Sequence, residues 1–399
     1  MFSERTNWKL ARNRLTAAVE AALARRVRLL DLTASNPTRI GLRYDSASIL
    51  GTLGSERAMD YDPQSKGLLS AREAVASYYR NILARGRREV ASNVSTVANP
   101  DRIVLTTSTS EGYSFVFRLL CNGGDELLVP KPSYPLFEFL ADLQDVRLVP
   151  YPLIYDHGWQ MDFHSLEKAV TERTRGVVIV HPNNPTGSYV QLGELAPLNA
   201  FCRAHGLALI VDEVFLDYAL DGREHASFAE NREVLTFTLS GLSKISALPQ
   251  MKVAWVVTTG PENEVREAID RLEVIADTYL SMNAPIQWAI PTLLEQRSGV
   301  QQQLQERVKN NLAELDRQLA QQKACERLGV EGGWYAVLRV PVTRSDEELA
   351  IELVREKSVL VHPGHFYDFP SDGYLVLSLI AEEQDFREGI VRVLDTLNS

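Results

Sequence analysis

Between about residues 100 and 260 the chain alternates short apolar runs with stretches of helical spacing. The runs are RIVLTT, DELLVP, VRLVPY, GVVIV, LALIV, VLTFTL and KVAWVV, each rich in β-branched or aromatic residues and bounded by turn formers. A run that is apolar throughout reads as a strand buried on both faces, and such strands belong to parallel sheets covered by helices. The alternation therefore predicts an α/β fold with a mainly parallel sheet sandwiched by helices. Sheets of this kind bind ligands beyond the carboxyl ends of their strands, so the residues that follow each run are the first candidates for chemistry.

The pattern differs on either side. Residues 8–23 place Trp8, Leu15, Val19 and Leu23 at helical spacing, which predicts an amphipathic first helix. Beyond residue 262 come long helical stretches, one of them carrying Val300, Leu304, Val308, Leu312, Leu315 and Leu319. Strands are expected at 334–340, 359–361 and 374–380, with helices from about 346 and 383. These predict a smaller α+β unit. The expected division is an N-terminal segment, 1–45, packing with the small domain, a large domain, 46–290, and a small C-terminal domain, 291–399.

A formal net charge of −10 argues against a non-specific grip on nucleic acid or on an anionic membrane. The clusters Arg25-Arg26-Val27-Arg28 and Arg85-Gly86-Arg87-Arg88 are short and fall near expected helix ends, where cations are favoured. Three widely spaced cysteines, Cys121, Cys202 and Cys325, suggest a reducing cytoplasm and no structural zinc. No run approaches the length of a bilayer span, and the arginine-rich first thirty residues lack a signal-like apolar core. A soluble, cytoplasmic, unprocessed protein is expected.

Four strand ends carry unusual residues. After RIVL comes Thr106-Thr107-Ser108-Thr109-Ser110-Glu111-Gly112, hydroxyls leading into a helix, which makes either a phosphate cradle or a decorated cap. After GVVIV comes HPNNPTG, a run of turn formers that exposes two asparagine amides or serves as a plain surface loop. After LALIV comes Asp212-Glu213, turn or cap acids unless a cation waits for them. In SGLSKISALPQMK, Lys244 and Lys252 flank a strand boundary, where a lysine ordinarily just reaches water.

Together these segments resemble one family, the fold type I pyridoxal-phosphate enzymes of the class I/II aminotransferase group, the aspartate aminotransferase superfamily. From about residue 29 onward the matching segments, in family order, are YDPQSKGL, TSTSEG, GDELLVPKPSYP, HPNNPTG, VDEVF, SGLSK, EGGWYAV and VHPGHF. The resemblance implies pyridoxal 5'-phosphate as cofactor and Lys244 as the Schiff-base lysine that later shuttles a proton at the substrate Cα. It implies Asp212 at the pyridine nitrogen, Asn184 at the 3-hydroxyl, Tyr134 on the ring face, and Ser108, Thr109 and Ser110 around the phosphate. It also implies that Tyr61 reaches that phosphate from a partner subunit, hence a homodimer. An amino donor and a 2-oxo acid are the implied substrates.

The chain departs from the family pattern in four places. Lys252 stands where relatives use a phosphate-binding arginine, keeping the charge but not the planar fork. Gly241 takes the place of a serine, and Phe215 that of a tyrosine. Val376, in GYLVLS, replaces the arginine that binds the substrate carboxylate, leaving Arg39 and Arg339 as candidate substitutes. The implied activity is amino transfer with an atypical carboxylate site. The alternatives are a lyase or decarboxylase on the same fold and a ligand-sensing regulator, for which the thirty residues ahead of the fold leave no room for a helix-turn-helix extension.

Overall fold

The computed structural model describes residues 1–8, 11–86, 99–135 and 137–398. A short strand, β1 (Leu30–Asp31), precedes the large sheet, whose strands are β2 (Ile103–Thr106), β3 (Glu126–Lys131), β4 (Arg147–Tyr155), β5 (Trp159–Met161), β6 (Thr174–Val180), β7 (Ala208–Asp212), β8 (Thr236–Gly241) and β9 (Ala254–Thr259). Their order across the sheet is β2-β9-β8-β7-β6-β3-β4-β5. The run β4-β3-β6-β7-β8 is parallel, while β9 and β5 pair antiparallel. Every residue of β2, β8 and β9 is buried, as their unbroken apolar runs require of strands covered on both faces. The fold is α/β, a mainly parallel sheet between helices.

The C-terminal part builds a second sheet from β10 (Glu326–Arg327), β11 (Tyr335–Arg339), β13 (His362–Pro363) and β14 (Tyr374–Ser378), in the antiparallel order β10-β11-β14-β13. A separate strand, β12 (Val359–Leu360), pairs in parallel with β1. One apolar cluster unites Leu15, Ala18 and Leu32 from the N-terminal segment with Leu304, Val376 and Ile390. The helix Arg297–Leu319 supplies Val300, Leu304, Val308 and Leu315 to that cluster.

Two expectations need correction. The first helix begins at Arg14 rather than residue 8, because the Asn13 side chain caps it by accepting the Thr16 amide. Trp8 instead packs edge-on against Phe139 and donates its indole N–H to Asp142 at 2.8 Å. Helical phase then buries Leu15, Ala18 and Ala22 and leaves Leu23 exposed. The second correction is an addition: β1, β5, β10 and β13 are two or three residues long and carry no periodic signal. Of the expected basic clusters, the first follows the helix Arg14–Ala24, and in the second Arg87 and Arg88 lie outside the described residues.

Candidate active site

Strand β7 ends at Asp212, and Lys244 stands in the helical turn Leu242–Ile245 that follows β8. Because β7 and β8 are adjacent and parallel, both side chains leave the sheet at the same edge. They reach one cavity of about 270 Å³ between that edge and the small sheet. The Asp212 carboxylate accepts the Val214 amide at 3.0 Å and the Tyr113 hydroxyl at 3.1 Å. Burial pushes its pKa up to about 6, opposed by these two donors and by Lys244. Burial pulls Lys244 down to about 8, opposed by Asp212. A lysine so lowered has an appreciable neutral fraction near neutral pH, as a nucleophile needs.

The neighbouring acid behaves differently. Strand alternation turns Glu213 away from the cavity, where it accepts the Ser227 hydroxyl at 2.7 Å and the Phe228 amide at 2.6 Å. Burial raises it to about 8, so this carboxyl sits neutral in a structural pocket.

The Lys244 amine lies 4.8 Å from the centre of the Trp334 ring and 5.4 Å from that of Phe215. Trp334 is held there by the HPNNPTG loop. Gly187 adopts a φ of +70°, and its carbonyl accepts the amides of Glu331 and Gly332 at 3.1 and 2.8 Å. A Cβ at Gly187 would lie 2.5 Å from the Gly332 carbonyl oxygen, so only glycine allows this approach. The same loop brings Asn184 to the cavity, with its carboxamide oxygen buried and unpartnered.

Thr109 opens the helix Thr109–Leu120 and lines the cavity. Ser108 is its cap, accepting the Glu111 amide at 3.2 Å, and neither Ser108 nor Ser110 reaches the cavity wall. Tyr134 does, on a loop anchored by the bond from the Ser133 amide to the Tyr367 carbonyl at 2.9 Å. Gly241 has a physical reason for replacing serine: a Cβ there would stand 2.7 Å from the Val253 carbonyl oxygen.

Several expected residues stay outside. Lys252 is exposed, with a φ of +54°, and is absent from the wall. Tyr61 is 84% exposed in a separate cleft beside Met282 and Gln287. Arg39 is exposed on the short turn Pro37–Arg39, and Arg339 pairs with Glu326 at 3.2 Å beneath the Tyr155 ring. Val376 is 1% exposed within the apolar cluster rather than on the wall. The wall also holds residues to which the sequence reading assigned no role: Ser35, Ser243, Tyr335, His362, Phe366 and Tyr367. Three of them belong to VHPGHFY, a segment conspicuous in the sequence without a legible task.

A larger cavity, about 560 Å³, lies beyond His181 and includes neither Asp212 nor Lys244. Burial lowers the His181 imidazole to about 3, so it lines that cavity as a neutral ring. The chemically equipped cavity is the smaller one.

Comparison with known proteins agrees with this geometry. The alanine aminotransferase of Mycobacterium tuberculosis (strain H37Rv) is 28% identical over 377 residues, covering 92% of this chain and 85% of the relative. The glutamate-pyruvate aminotransferase AlaA of Escherichia coli (strain K12) is 33% identical over 268 residues, 67% of this chain and 64% of the relative. Among solved structures, an aminotransferase from Escherichia coli superposes with a TM-score of 0.84 at 25% identity, covering 100% of this chain and 98% of its own. An alanine aminotransferase from Pyrococcus furiosus gives 0.87 at 20% identity over 100% of both chains, a likeness of fold. The family described as Aminotransferase class I and II matches residues 53–385, a span that holds Asp212, Lys244 and nearly all of the cavity wall. The chain belongs to that family and is an aminotransferase.

Proposed function

We propose that the cavity binds pyridoxal 5'-phosphate and that the enzyme moves an amino group between an amino donor and a 2-oxo acid. The observation that carries this reading is the pairing in one cavity of a buried carboxylate and a lysine whose pKa burial has lowered. The unpartnered Asn184 oxygen supports it, since a buried carboxamide without a partner suits a ligand that brings one. When bound, pyridoxal 5'-phosphate supplies the carbonyl that takes up the amino group and a ring that accepts the charge left at the substrate Cα.

The chain's residues divide the remaining work. Asp212 pairs with the protonated ring nitrogen, its own charge steadied by Tyr113 and the Val214 amide. Asn184 meets the 3-hydroxyl and Tyr134 the ring face. Thr109, on the wall at the helix N-terminus, receives the phosphate, and Ser108 and Ser110 beside it would have to turn inward to join it. Lys252 adds a point charge. Lys244 would take the proton from the substrate Cα and pass it to the cofactor, and the aromatic wall of Phe215, Tyr335 and Phe366 would exclude water around that transfer.

The same reading makes the protein a homodimer, with Tyr61 serving the partner's phosphate site; its 84% exposure and that of Met59 beside it, 87%, suit a surface covered by a second subunit. It takes 46–290 as the cofactor-holding domain and 291–399 as the small domain, with 1–45 packed on the latter through Leu15, Ala18 and Leu32 and touching the former through Trp8. Three free cysteines favour the cytoplasm, and no described helix is long and apolar enough to cross a membrane.

The relatives' names make alanine or glutamate the donor, and pyruvate the acceptor, to try first. The test is a half-reaction. Protein loaded with pyridoxal 5'-phosphate and given L-alanine should form bound pyridoxamine phosphate with an equal amount of pyruvate. Release of ammonia or carbon dioxide without the pyridoxamine form would contradict amino transfer.

A further inference from the structure

A 2-oxo acid brings a carboxylate into this cavity, and a carboxylate taken from water needs donors. Among the described residues that line the cavity, Lys244 is the only lysine or arginine, and the reading above occupies it with the cofactor and the Cα proton. The strand register shows what else is available. Strands β11, β14 and β13 pair so that Val337, Val376 and His362 lie side by side across the sheet. Directly opposed residues project from the same face. Val337 and Val376 are spent on core packing, whereas His362, at the sheet edge, lines the cavity.

His362 is also oriented. Its Nδ1 lies 3.0 Å from the Tyr367 hydroxyl. Burial keeps that hydroxyl well above the usual tyrosine range, so it remains a donor. In the tautomer in which the Tyr367 O–H donates to Nδ1, the imidazole proton resides on Nε2 and is left to donate elsewhere, and a carboxylate in the cavity selects that tautomer. The segment holding both residues is braced at and beyond its C-terminal end. The Tyr367 carbonyl accepts the Ser133 amide at 2.9 Å, and Asp346 accepts the amides of Gly373 and Tyr374 at 2.6 and 3.1 Å where β14 begins.

We propose that His362, oriented by Tyr367, receives the substrate carboxylate in this enzyme and so determines its specificity. The proposal rests on the reading of the cavity as the site of amino transfer. Burial lowers the His362 pKa, opposed by Asp31, so the imidazole acts chiefly as a neutral donor. One neutral donor grips a carboxylate less firmly than a bidentate guanidinium, and simple 2-oxo acids should accordingly bind with modest affinity.

The experiment compares an unreactive carboxylate with its neutral isostere. Dissociation constants for propionate and propionamide are measured by calorimetry on protein loaded with pyridoxal 5'-phosphate, which occupies Lys244, and on unloaded protein in which Lys244 is replaced by alanine, so that no other cation of the wall meets the carboxylate. Wild type should prefer propionate by about tenfold, a charge-assisted bond against a neutral one. His362→Ala should abolish the preference, Tyr367→Phe should reduce it, and His362→Arg should increase it. Retention of the wild-type preference in folded His362→Ala, or no gain in His362→Arg, would overturn the proposal. Loss of the visible cofactor band in wild type would count against the cofactor reading alone, because the preference is also read on unloaded protein.

Discussion

Asp212 and Lys244 each oppose the burial of the other: the carboxylate raises the lysine that desolvation lowers, and the ammonium lowers the acid that desolvation raises. The protein thus holds two charged groups part-way out of water at the ends of neighbouring strands. Such an arrangement is held in place by the fold around it, and binding a cationic ring beside Asp212 relieves it.

Asp212→Asn is expected to stabilise the unloaded protein. The folded-state pKa of Asp212, about 6, lies above the ordinary 3.8, so its contribution is fully present below pH 3.8 and lost as the pH rises through 6. Asparagine removes that loss, worth about 1–3 kcal/mol above pH 6 and close to nothing below pH 3.8. The same variant should bind pyridoxal 5'-phosphate about tenfold or more weakly. Chemical denaturation across pH checks the first effect and cofactor titration the second; equal stability of the two proteins at neutral pH would contradict it.

Tyr113→Phe removes the 3.1 Å bond to Asp212 without changing the size of the ring. One of the forces lowering the Asp212 pKa is lost, so more of the acid is protonated at neutral pH. Cofactor affinity should fall by about fivefold, as for the loss of one hydrogen bond to a charged group. Unchanged affinity would show that the hydroxyl does nothing for the carboxylate.

Tyr113 also shows where sequence reading stops. Strands β2, β3, β6, β7, β8 and β9 were legible because strands covered on both faces are apolar along almost their whole length, whereas β4, of which only Tyr151 is buried, was legible by its β-branched and aromatic run alone. Asp212 and Lys244 were legible as residues at the ends of such strands, next to the turns that terminate them. Tyr113 reads only as one more aromatic on a helix, since its partner is 99 residues away. His362 depends on the register of β13, a strand of two residues with no periodicity of its own. Val376 stands where the resembling family binds the substrate carboxylate, but the wall at that register is formed by its cross-strand neighbour at the sheet edge.

Lys252→Ala should weaken cofactor binding and Lys252→Arg should not. The residue follows Lys244 by one short turn, Pro249–Met251, and is exposed, free to extend toward a phosphate. A point charge at partial exposure is worth about 1 kcal/mol, roughly a fivefold change in affinity. Equal affinity of wild type and the alanine variant, measured by fluorescence titration, would remove Lys252 from the phosphate site.

Complementation between subunits tests the place of Tyr61. Tyr61→Ala and Lys244→Ala proteins, each impaired alone, are unfolded together and refolded as a mixture. If Tyr61 serves the partner's site, each mixed dimer holds one intact site, and random pairing should restore about a quarter of wild-type activity. No recovery in a mixture shown to contain mixed dimers would mean that Tyr61 acts within its own chain or not at all.

Lys244 carries the central claim, and reductive trapping reads it directly. Protein loaded with pyridoxal 5'-phosphate is treated with borohydride, digested, and its labelled peptide sequenced by mass spectrometry. The label is expected on Lys244, with the visible band bleached and no label in Lys244→Ala. Label on Lys252 instead, or a loaded protein with no covalent label, would contradict the assignment of this cavity.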